Sequence, residues 1–270
     1  MLATVEIVIP VLNEESALPF CVAELFAFIE QNSEWKWAVV IADNGSVDRT
    51  TEIAAELSET YNDLSISRLD ESGRGRALKK AWSESDADVR LYMDVDLSTD
   101  IEALPELVSC IINEGYEVAI GSRLSKGSRV VNRSFKREVT SRGYNILIHL
   151  LFPFTKFKDA QCGFKAVSRK AAENLVPLVE DNAWFFDTEL LLLAGNAGYA
   201  IKEIPVHWED DPDTRVKIIS TAWEDIKGLL RLRLRGRPTP PLISWPLFHS
   251  LDKVVLTDNF YQLCLRTYNI

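Results

Sequence analysis

Two aspartates separated by one residue, Asp94 and Asp96, form the sharpest chemical feature of the sequence. They follow an apolar run that is typical of a buried strand. In an extended chain, side chains two residues apart point to the same side. Carboxylates placed in this way suit a hard cation such as Mg²⁺ or Mn²⁺, which also accepts phosphate oxygens. Ser98 offers a further oxygen ligand, and the alternative is a pair of solvated aspartates in a loop.

Other polar or glycine-rich segments lie between the predicted elements. They are Asn13-Glu14-Glu15, the run at 43–50 (D-N-G-S-V-D-R-T) and the run at 73–78 (G-R-G-R-A-L). Glycines allow close approach to the backbone, and Arg74 or Arg76 is a candidate phosphate ligand. Taken singly, the polar runs are more typical of helix caps, and the G-x-G is more typical of an ordinary loop.

Strands and helices alternate from residue 5 to residue 120. The sequence predicts strands at 5–11, 37–42, 64–69, 89–93 and 117–120, and helices at 14–29, 48–60, 75–85 and 104–115. This order predicts an α/β fold with a Rossmann-like, doubly wound, mostly parallel sheet and helices on both faces. Such sheets bind ligands beyond the carboxyl ends of their strands. The three polar clusters, at 13–15, 43–48 and 94–98, all follow strands, so we expect a single site there.

The second half of the sequence is less regular. Helices are predicted at 142–154, 184–195 and 218–235, and strands at the end of 159–168 and at 201–207. Prolines at 238, 240 and 241 mark a linker. We therefore expect one domain at 1–236, divided at about residue 122, and a C-terminal tail at 237–270.

Charge is distributed unevenly over this acidic chain. The formal net charge is −10, yet residues 123–142 hold seven basic residues and one acidic residue, and residues 227–237 hold five basic residues and no acidic residue. Localised basic segments favour one anionic partner over general nucleic-acid binding; the alternative is two solvated helix faces. None of the four cysteines forms a C-x-x-C pair, which argues against a zinc site. Neither a secretory leader nor a transmembrane run is predicted.

In their order and spacing, these segments resemble the family 2 glycosyltransferases with the GT-A fold, over residues 3–217. Four more segments narrow the resemblance: G-S-R at 121–123, D-A-Q-C-G-F-K at 159–165, W-F-F-D-T-E-L-L at 184–191 and E-I-P-V at 203–206. This set is similar to the polyprenyl-phosphate hexosyltransferases. Within that branch, the Q-C-G-F-K and F-D-T-E-L runs fit the dolichyl-phosphate glucosyltransferases better than the mannosyl type.

The resemblance implies inverting transfer of a hexose from a nucleotide sugar, UDP-glucose ahead of GDP-mannose, with Mg²⁺ or Mn²⁺ as cofactor. It makes 1–122 the nucleotide-binding half and 123–236 the acceptor half. The implied nucleotide-sugar ligands are Pro10, Asn13, Glu15, Asp43, Gly45, Ser46, Arg74, Arg76 and Asp94. The implied metal ligands are Asp94, Asp96 and Ser98. The implied acceptor-phosphate ligands are Arg123, Arg133, Arg137, Arg215 and Lys217, although the acidic run at 209–211 weakens the match for the last two.

The catalytic role of Asp187 and Glu189 depends on the acceptor. A lipid monophosphate, with a second pKa of about 6, is largely ionised at neutral pH and hardly needs a general base. A sugar hydroxyl needs one, and these two carboxylates are then the candidates; stabilisation at a helix N-terminus is the structural alternative. Basic residues before the apolar run at 144–148 favour a polyprenyl phosphate at a membrane surface. The alternative is a core helix beside solvated arginines.

We therefore expect a peripheral protein at the cytoplasmic face of a membrane, held by the membrane surface or by a membrane partner protein. One alternative is a family 2 transferase with a soluble or polysaccharide acceptor. Another alternative is a nucleotide-sugar-binding protein without catalytic activity, and the intact D-x-D motif argues against it. A nucleotidyltransferase would usually carry a glycine-rich, basic signature near the first strand. This sequence has the N-E-E run there, which argues against that class of enzyme.

Overall fold

The computed structural model describes residues 2–209 and 218–235. Arg215, Lys217 and the predicted tail at 237–270 lie outside the described residues. The strands are β1 (Thr4–Val11), β2 (Lys36–Asn44), β3 (Leu64–Leu69), β4 (Val89–Met93), β5 (Val118–Ser122), β6 (Arg129–Val131), β7 (Phe164–Ser168), β8 (Ile201–Pro205) and β9 (His207–Glu209). The helices are α1 (Leu18–Gln31), α2 (Thr50–Thr60), α3 (Arg74–Glu84), α4 (Leu104–Ile112), α5 (Phe135–Leu151), α6 (Arg169–Leu175), α7 (Phe186–Asn196) and α8 (Ile218–Arg235).

Seven strands form one sheet in the order β3-β2-β1-β4-β7-β5-β8. All neighbours are parallel except β7, which runs antiparallel to both β4 and β5. The predicted α/β, mostly parallel sheet is therefore confirmed. Because β7 is reversed, its first residue, Phe164, pairs with Met93, the last residue of β4. The segment before β7 consequently lies beside Asp94, at the edge where the parallel strands end.

Alternate residues of the central strands face two different apolar layers. Ile7 and Ile9 of β1 belong to the main core, together with Leu91 of β4 and side chains of α1 and α4. Tyr92, on the other face of β4, packs near Trp82 of α3. Pro10 pairs with Ala42 near the carboxyl ends of β1 and β2, where the loops of the predicted site begin.

Several predicted boundaries were wrong, and each for a local reason. The helix predicted at 14–29 begins at Leu18, and the one predicted at 48–60 begins at Thr50, because the residues before them form loop hydrogen bonds. The helix predicted from residue 142 begins at Phe135, where Ser134 caps it by accepting from the Arg137 N–H. Strands β6 and β9 and helix α6 were not predicted, because each is too short for a clear periodic pattern.

Candidate active site

The loops after β1 and β2 are joined by hydrogen bonds between side chains and backbone. Asn13, at a left-handed φ of 58°, donates its N–H to Ser46 Oγ at 2.9 Å, and its Oδ1 accepts from the Val47 N–H at 2.8 Å. Gly45 has a φ of 94°, and a Cβ there would lie 3.1 Å from Asp70 O, so this turn favours glycine. The structure therefore brings Asn13, Gly45 and Ser46 together at one edge.

The acidic residues of these loops hold backbone and hydroxyl donors. Glu15 Oε2 accepts from the Arg49 N–H at 3.0 Å. Asp43 is fully buried; its Oδ1 accepts from the Ser46 N–H at 2.9 Å, and its Oδ2 accepts from the Thr51 hydroxyl at 2.6 Å. Both carboxylates thus fix the shape of the loops. Direct nucleotide contacts stay predictions for Pro10, Asn13, Glu15, Asp43, Gly45 and Ser46.

Asp94 and Asp96 follow β4 at the same edge of the sheet. Asp94 Oδ1 lies 2.6 Å from Arg74 Nη2, and a Cβ on Gly163 would overlap Asp94 Oδ2. Burial raises the pKa of Asp94 to about 6, although Arg74 favours its ionised form. Asp96 is exposed, and its Oδ1 accepts from the N–H of the buried Ser98 at 2.9 Å. The pair consequently offers one half-buried and one exposed carboxylate.

The glycines of the G-R-G segment admit the chain's own loop before α7. Gly73 has a φ of 149°, and a Cβ there would collide with Asn182 O. A Cβ on Gly75 would lie 2.7 Å from Phe186 Cβ, and the Gly75 N–H donates to Ala183 O at 3.2 Å. The segment that comes close to the backbone of these glycines is therefore the loop before α7.

The two arginines of the same segment have different surroundings. The Arg74 guanidinium lies 5.0 Å from the ring centroid of Tyr92 and 5.1 Å from that of Trp184. Its Nε is buried and has no hydrogen-bond partner among the described residues. Arg76 pairs with Glu71 at the surface. Of the two predicted phosphate ligands, Arg74 is the one that lies beside the aspartate pair.

A buried group of polar side chains lies next to this pair. Tyr92 and Lys165 are opposite each other in the β4–β7 register, and Asp187 reaches them from the first turn of α7. Lys165 Nζ lies 3.0 Å from Asp187 Oδ1 and 3.3 Å from the Tyr92 hydroxyl, which donates to Asp187. Burial and the charge of Asp187 raise the pKa of Tyr92 well above its usual value. Asp187 is thus paired with a cation, and a role as general base stays a prediction.

Glu189 is directed towards α8. Its Oε2 accepts from the Asp181 N–H at 2.8 Å and pairs with Arg231 Nη2 at 2.7 Å. Burial raises the pKa of Glu189 despite these partners. A Cβ on Gly228 of α8 would overlap the Phe185 ring, so α8 lies tightly against the start of α7. Glu189 therefore links α8 to the loop around residue 181, and its role as a base also stays a prediction.

Two of the predicted acceptor arginines lie over Trp208. Arg123 forms a two-pronged pair with Asp159 at 2.8 Å, and Arg133 pairs with Glu138 at 2.6 Å. The guanidinium carbons lie 5.4 Å and 5.6 Å from the Trp208 ring centroid. Burial opposes ionisation of Asp159, but Arg123 lowers the pKa of that carboxyl to about 2. The remaining predicted acceptor residues are Arg137, in the first turn of α5, and Arg215 and Lys217, outside the described residues. Phosphate binding by all five stays a prediction.

Several residues that build this site had no predicted role. They are Tyr92, Gln161, Gly163, Lys165, Trp184, Asp225 and Arg231. Lys165 carried a usable signal, because a lysine inside an apolar strand needs a charged partner. Gln161 Nε2 donates to Asp225 Oδ2 at 2.9 Å, and burial together with nearby carboxylates raises the pKa of Asp225 to about 7. These two residues are far apart in the sequence, so no local pattern could have predicted their pairing.

The model of the family described as "Glycosyl transferase family 2" matches residues 6–176. That span contains the joined loops, the aspartate pair and the antiparallel strand β7. The chain belongs to this family. The predicted family and the predicted glycosyltransferase activity are thereby confirmed.

Curated relatives of this glycosyltransferase agree with the narrower resemblance. Glycosyltransferase AglD of Haloferax volcanii is 39% identical over 230 residues, which are 83% of this chain and 35% of that protein. The dolichyl-phosphate beta-glucosyltransferase of Saccharomyces cerevisiae is 27% identical over 246 residues, which are 84% of this chain and 73% of that protein. The chain thus spans about a third of the first relative's length and about three quarters of the second's.

Solved structures of glycosyltransferases share the fold. Glucosyl-3-phosphoglycerate synthase from Mycobacterium tuberculosis, in complex with Mn²⁺, uridine diphosphate and phosphoglyceric acid, gives a TM-score of 0.64 at 19% identity, covering 87% of this chain and 80% of that one. Mannosyl-3-phosphoglycerate synthase from Rubrobacter xylanophilus gives 0.66 at 17% identity, covering 88% and 76%. The predicted GT-A fold is therefore confirmed.

Proposed function

We propose that this glycosyltransferase transfers glucose from UDP-glucose to a dolichyl or other polyprenyl phosphate. The transfer inverts the anomeric carbon and uses Mg²⁺ or Mn²⁺. Relatives named dolichyl-phosphate beta-glucosyltransferase support the sugar and the acceptor. The similar synthase structure with Mn²⁺ and uridine diphosphate supports the nucleotide and the ion.

The meeting of Asp94, Asp96 and Arg74 at one sheet edge is the observation that carries this proposal. Two carboxylates fit a hard cation that keeps phosphate-oxygen and water ligands. Within 2–209 and 218–235, no group of three or more His, Cys, Asp or Glu side chains is arranged to hold a metal. The predicted ligand Ser98, together with oxygens of the donor diphosphate and of water, would complete the coordination. When bound, the ion would neutralise charge that develops on the departing diphosphate.

Arg74 is placed to bind the same donor diphosphate as the ion. Its guanidinium lies against the rings of Tyr92 and Trp184 and beside Asp94, so little side-chain freedom remains to be lost when a phosphate binds. Its buried Nε is a donor that a phosphate oxygen would satisfy. Gly163 leaves the space that the Asp94 carboxylate occupies. These residues orient the donor and counter its charge.

The surroundings of Asp187 and Glu189 support a phosphate acceptor over a hydroxyl acceptor. Each carboxylate is paired with a cation, Lys165 or Arg231, and neither is exposed. An ionised phosphate needs no general base, because its second pKa is about 6. We assign the acceptor phosphate to Arg133, just before α5, and to Arg137, in the first turn of α5.

A lipid phosphate acceptor places the reaction at a membrane surface, and we propose the cytoplasmic face. None of the described helices is long and apolar enough to cross a bilayer. Attachment through the membrane surface itself or through a membrane partner protein is part of the proposal.

A direct test incubates the purified chain with Mn²⁺ or Mg²⁺, a panel of nucleotide sugars and a short polyprenyl phosphate. The expected product is a glucosylated lipid phosphate, formed from UDP-glucose and lost on chelation of the ion. Asp96→Ala should abolish transfer while the fold, followed by circular dichroism, is retained. Asp63→Ala, an exposed aspartate before β3, is the control. Full activity of Asp96→Ala would refute the metal role, and transfer only to a sugar hydroxyl would refute the acceptor.

The acceptor assignment has its own test. Arg137→Gln should raise the KM for the polyprenyl phosphate more than the KM for UDP-glucose, because the proposed contact is to the acceptor. Arg68→Gln on β3 is the control for removing one positive charge from the nucleotide half. An unchanged lipid KM in Arg137→Gln would count against the assignment.

A further inference from the structure

Trp184, just before α7, leaves part of a large aromatic side chain open to solvent beside the aspartate pair. The residue is 43% exposed, although the Arg74 guanidinium lies over its ring, 5.1 Å from the centroid. The same guanidinium pairs with Asp94. Binding sites for small molecules combine aromatic side chains of this kind with a few polar groups. The open part of Trp184 is therefore available to a ligand that also contacts Arg74 or Asp94.

Helix α3 holds the loop that carries Trp184. The N–H groups of Gly75 and Arg76 donate to Ala183 O at 3.2 Å and to Asn182 O at 3.1 Å. A Cβ on Gly75 would lie 3.0 Å from Ala183 O, so the absence of a side chain lets the loop approach the helix this closely. The glycine of the G-R-G segment thus seats the loop that brings Trp184 to the site.

The same loop is also fixed at its other end. Lys79 Nζ donates to Val179 O at 3.2 Å, and the Asp181 N–H donates to Glu189 Oε2 at 2.8 Å. Glu189 is in turn paired with Arg231 of α8. Helices α3, α7 and α8 therefore all hold the segment at 179–184. A side chain on a segment fixed in this way loses little conformational freedom when a ligand binds to it.

The position of this loop relative to the sheet indicates which part of a donor would reach it. Strands β1 and β2, whose loops carry the predicted nucleotide ligands, lie on one side of β4, and β7 lies on the other. The start of α7 covers β4 and β7, since Asp187 contacts both Tyr92 and Lys165. A donor with its base at the loops after β1 and β2 and its diphosphate at Asp94 would extend its sugar towards Trp184.

A hexose has the chemistry to contact an aromatic ring. The axial C–H groups of a pyranose form an apolar face, while its equatorial hydroxyls point outwards. The face of an aromatic ring carries partial negative charge, which attracts the positive ends of C–H bonds, and removing both apolar surfaces from water adds to the contact. A phosphate, by contrast, would be repelled by the same ring face. The sugar is therefore the part of the donor that best matches Trp184.

We propose that Trp184 is a platform on which the apolar face of the transferred hexose stacks, while Asp94 and Arg74 hold the diphosphate. This inference rests on the proposed function, because its ligand is the hexose of a nucleotide sugar. It assigns Trp184 a direct contact with the sugar, which differs from orienting Arg74 alone. Loss of a direct contact weakens binding of the nucleotide sugar only, whereas loss of an effect through Arg74 weakens the nucleotide and the nucleotide sugar alike.

The test measures, by calorimetry with Mn²⁺, the ratio of the Kd for UDP-glucose to the Kd for UDP. Trp184→Leu should raise this ratio by about five- to tenfold, and Trp184→Phe, which keeps a ring, should recover most of the loss. Trp223→Leu on α8 is the matched control, because Trp223 is 60% exposed and also has a cation, Lys227 Nζ, 5.9 Å from its ring centroid. Its ratio should equal that of the unaltered chain, and thermal melting checks that each variant is folded.

Equal weakening of both ligands in Trp184→Leu, or an unchanged ratio, would overturn the platform. An equal rise of the ratio in Trp223→Leu would overturn it as well. An unchanged ratio with a raised KM for the polyprenyl phosphate would overturn it and place the acceptor against this ring instead. The panel of nucleotide sugars tests the proposed donor separately. Selection of another nucleotide sugar would refute UDP-glucose as the donor, and the same ratio, measured with that sugar and its nucleotide, would still decide the role of Trp184.

Discussion

Residues 2–122, the predicted nucleotide half, and the described residues from 123 onwards, the predicted acceptor half, are held together by different interactions. In the first half, the loops after β1 and β2 are joined by hydrogen bonds between side chains and backbone, such as those of Asn13 and Glu15. In the second half, buried charges are matched across long sequence separations, as in Arg123–Asp159 and Lys165–Asp187. The first half thus relies on hydrogen bonds between its loops, and the second half relies on paired charges in its interior.

Residues of both halves contact the carboxylate of Asp94. Arg74, from the nucleotide half, pairs with one oxygen of this carboxylate, and Gly163, from the acceptor half, lies against the other. A buried charge that loses its partner costs much more than a lost neutral hydrogen bond. Substitutions in the two halves should therefore differ in their effect on stability, and those at the junction should affect catalysis first.

The largest effect is expected for Lys165→Met. This change leaves the Asp187 carboxylate buried without its cation, and the free energy of unfolding should fall by about 3–5 kcal/mol in urea titrations. The double variant Lys165→Met, Asp187→Asn removes the uncompensated charge and should recover part of the loss. A cost below about 1 kcal/mol for the single variant would mean that charge pairing does not hold the acceptor half.

Gly163→Ala tests the junction. The added Cβ overlaps Asp94 Oδ2, so the carboxylate must move away from the position in which we propose that it binds the ion. We expect transfer to fall by about 100-fold, close to 3 kcal/mol in transition-state stabilisation. Calorimetry should show weaker Mn²⁺ binding in the presence of UDP. Gly195→Ala is the control, because a Cβ there meets nothing within 4 Å. Normal Mn²⁺ binding by Gly163→Ala would contradict the proposal that the two halves meet at the ion site.

Asp225 gives the acceptor half a characteristic response to pH. Burial raises the pKa of Asp225 to about 7 in the folded chain, above the value of about 3.9 for an unfolded aspartate. The folded state therefore binds a proton that the unfolded state has lost, and this stabilisation disappears as the pH rises from about 4 to about 7. Asp225→Asn should remove about 1–3 kcal/mol of this dependence. Parallel melting curves between pH 5 and pH 8, taken as an approximate range, would contradict it.

The smallest effect is expected in the nucleotide half. Asn13→Ala removes the hydrogen bond to the Val47 N–H and places alanine at a φ of 58°. The expected cost is about 1 kcal/mol in urea unfolding. Asn62→Ala, at an exposed turn, should be within about 0.5 kcal/mol of the unaltered chain. A loss as large as that of Lys165→Met would remove the difference between the halves.

The contrast between loops joined by hydrogen bonds and buried charge pairs also explains which features the sequence could predict. The β-α alternation, the strands β1 to β5 and the edge that carries Asp94 follow from periodicity and turn residues within short windows. The helix at 218–235 was predicted at the bounds that the structure shows for α8. Family membership came from motifs such as D-x-D and Q-C-G-F-K, whose order along the chain is distinctive.

The partners of the buried charges could not be predicted in this way. Lys165 and Asp187 come together because β7 is antiparallel and α7 covers that face of the sheet, and no local pattern specifies either condition. The glycines at 73 and 75 were correctly expected to allow close approach, but only the three-dimensional structure shows that the approaching segment is the loop before α7. Glu189 matched a family motif, and its pairing with Arg231 depends on the placement of α8.

The reversed strand β7 also has a consequence for how the chain folds during synthesis. The ribosome delivers β1 to β5 before β7, so β4 has an unpaired edge until residues 164–168 emerge. Open strand edges invite pairing with other chains, and contacts between distant residues form slowly. A nascent chain that stalls before β7 would consequently be prone to aggregation, and a chaperone that covers this edge would be of most use in that interval.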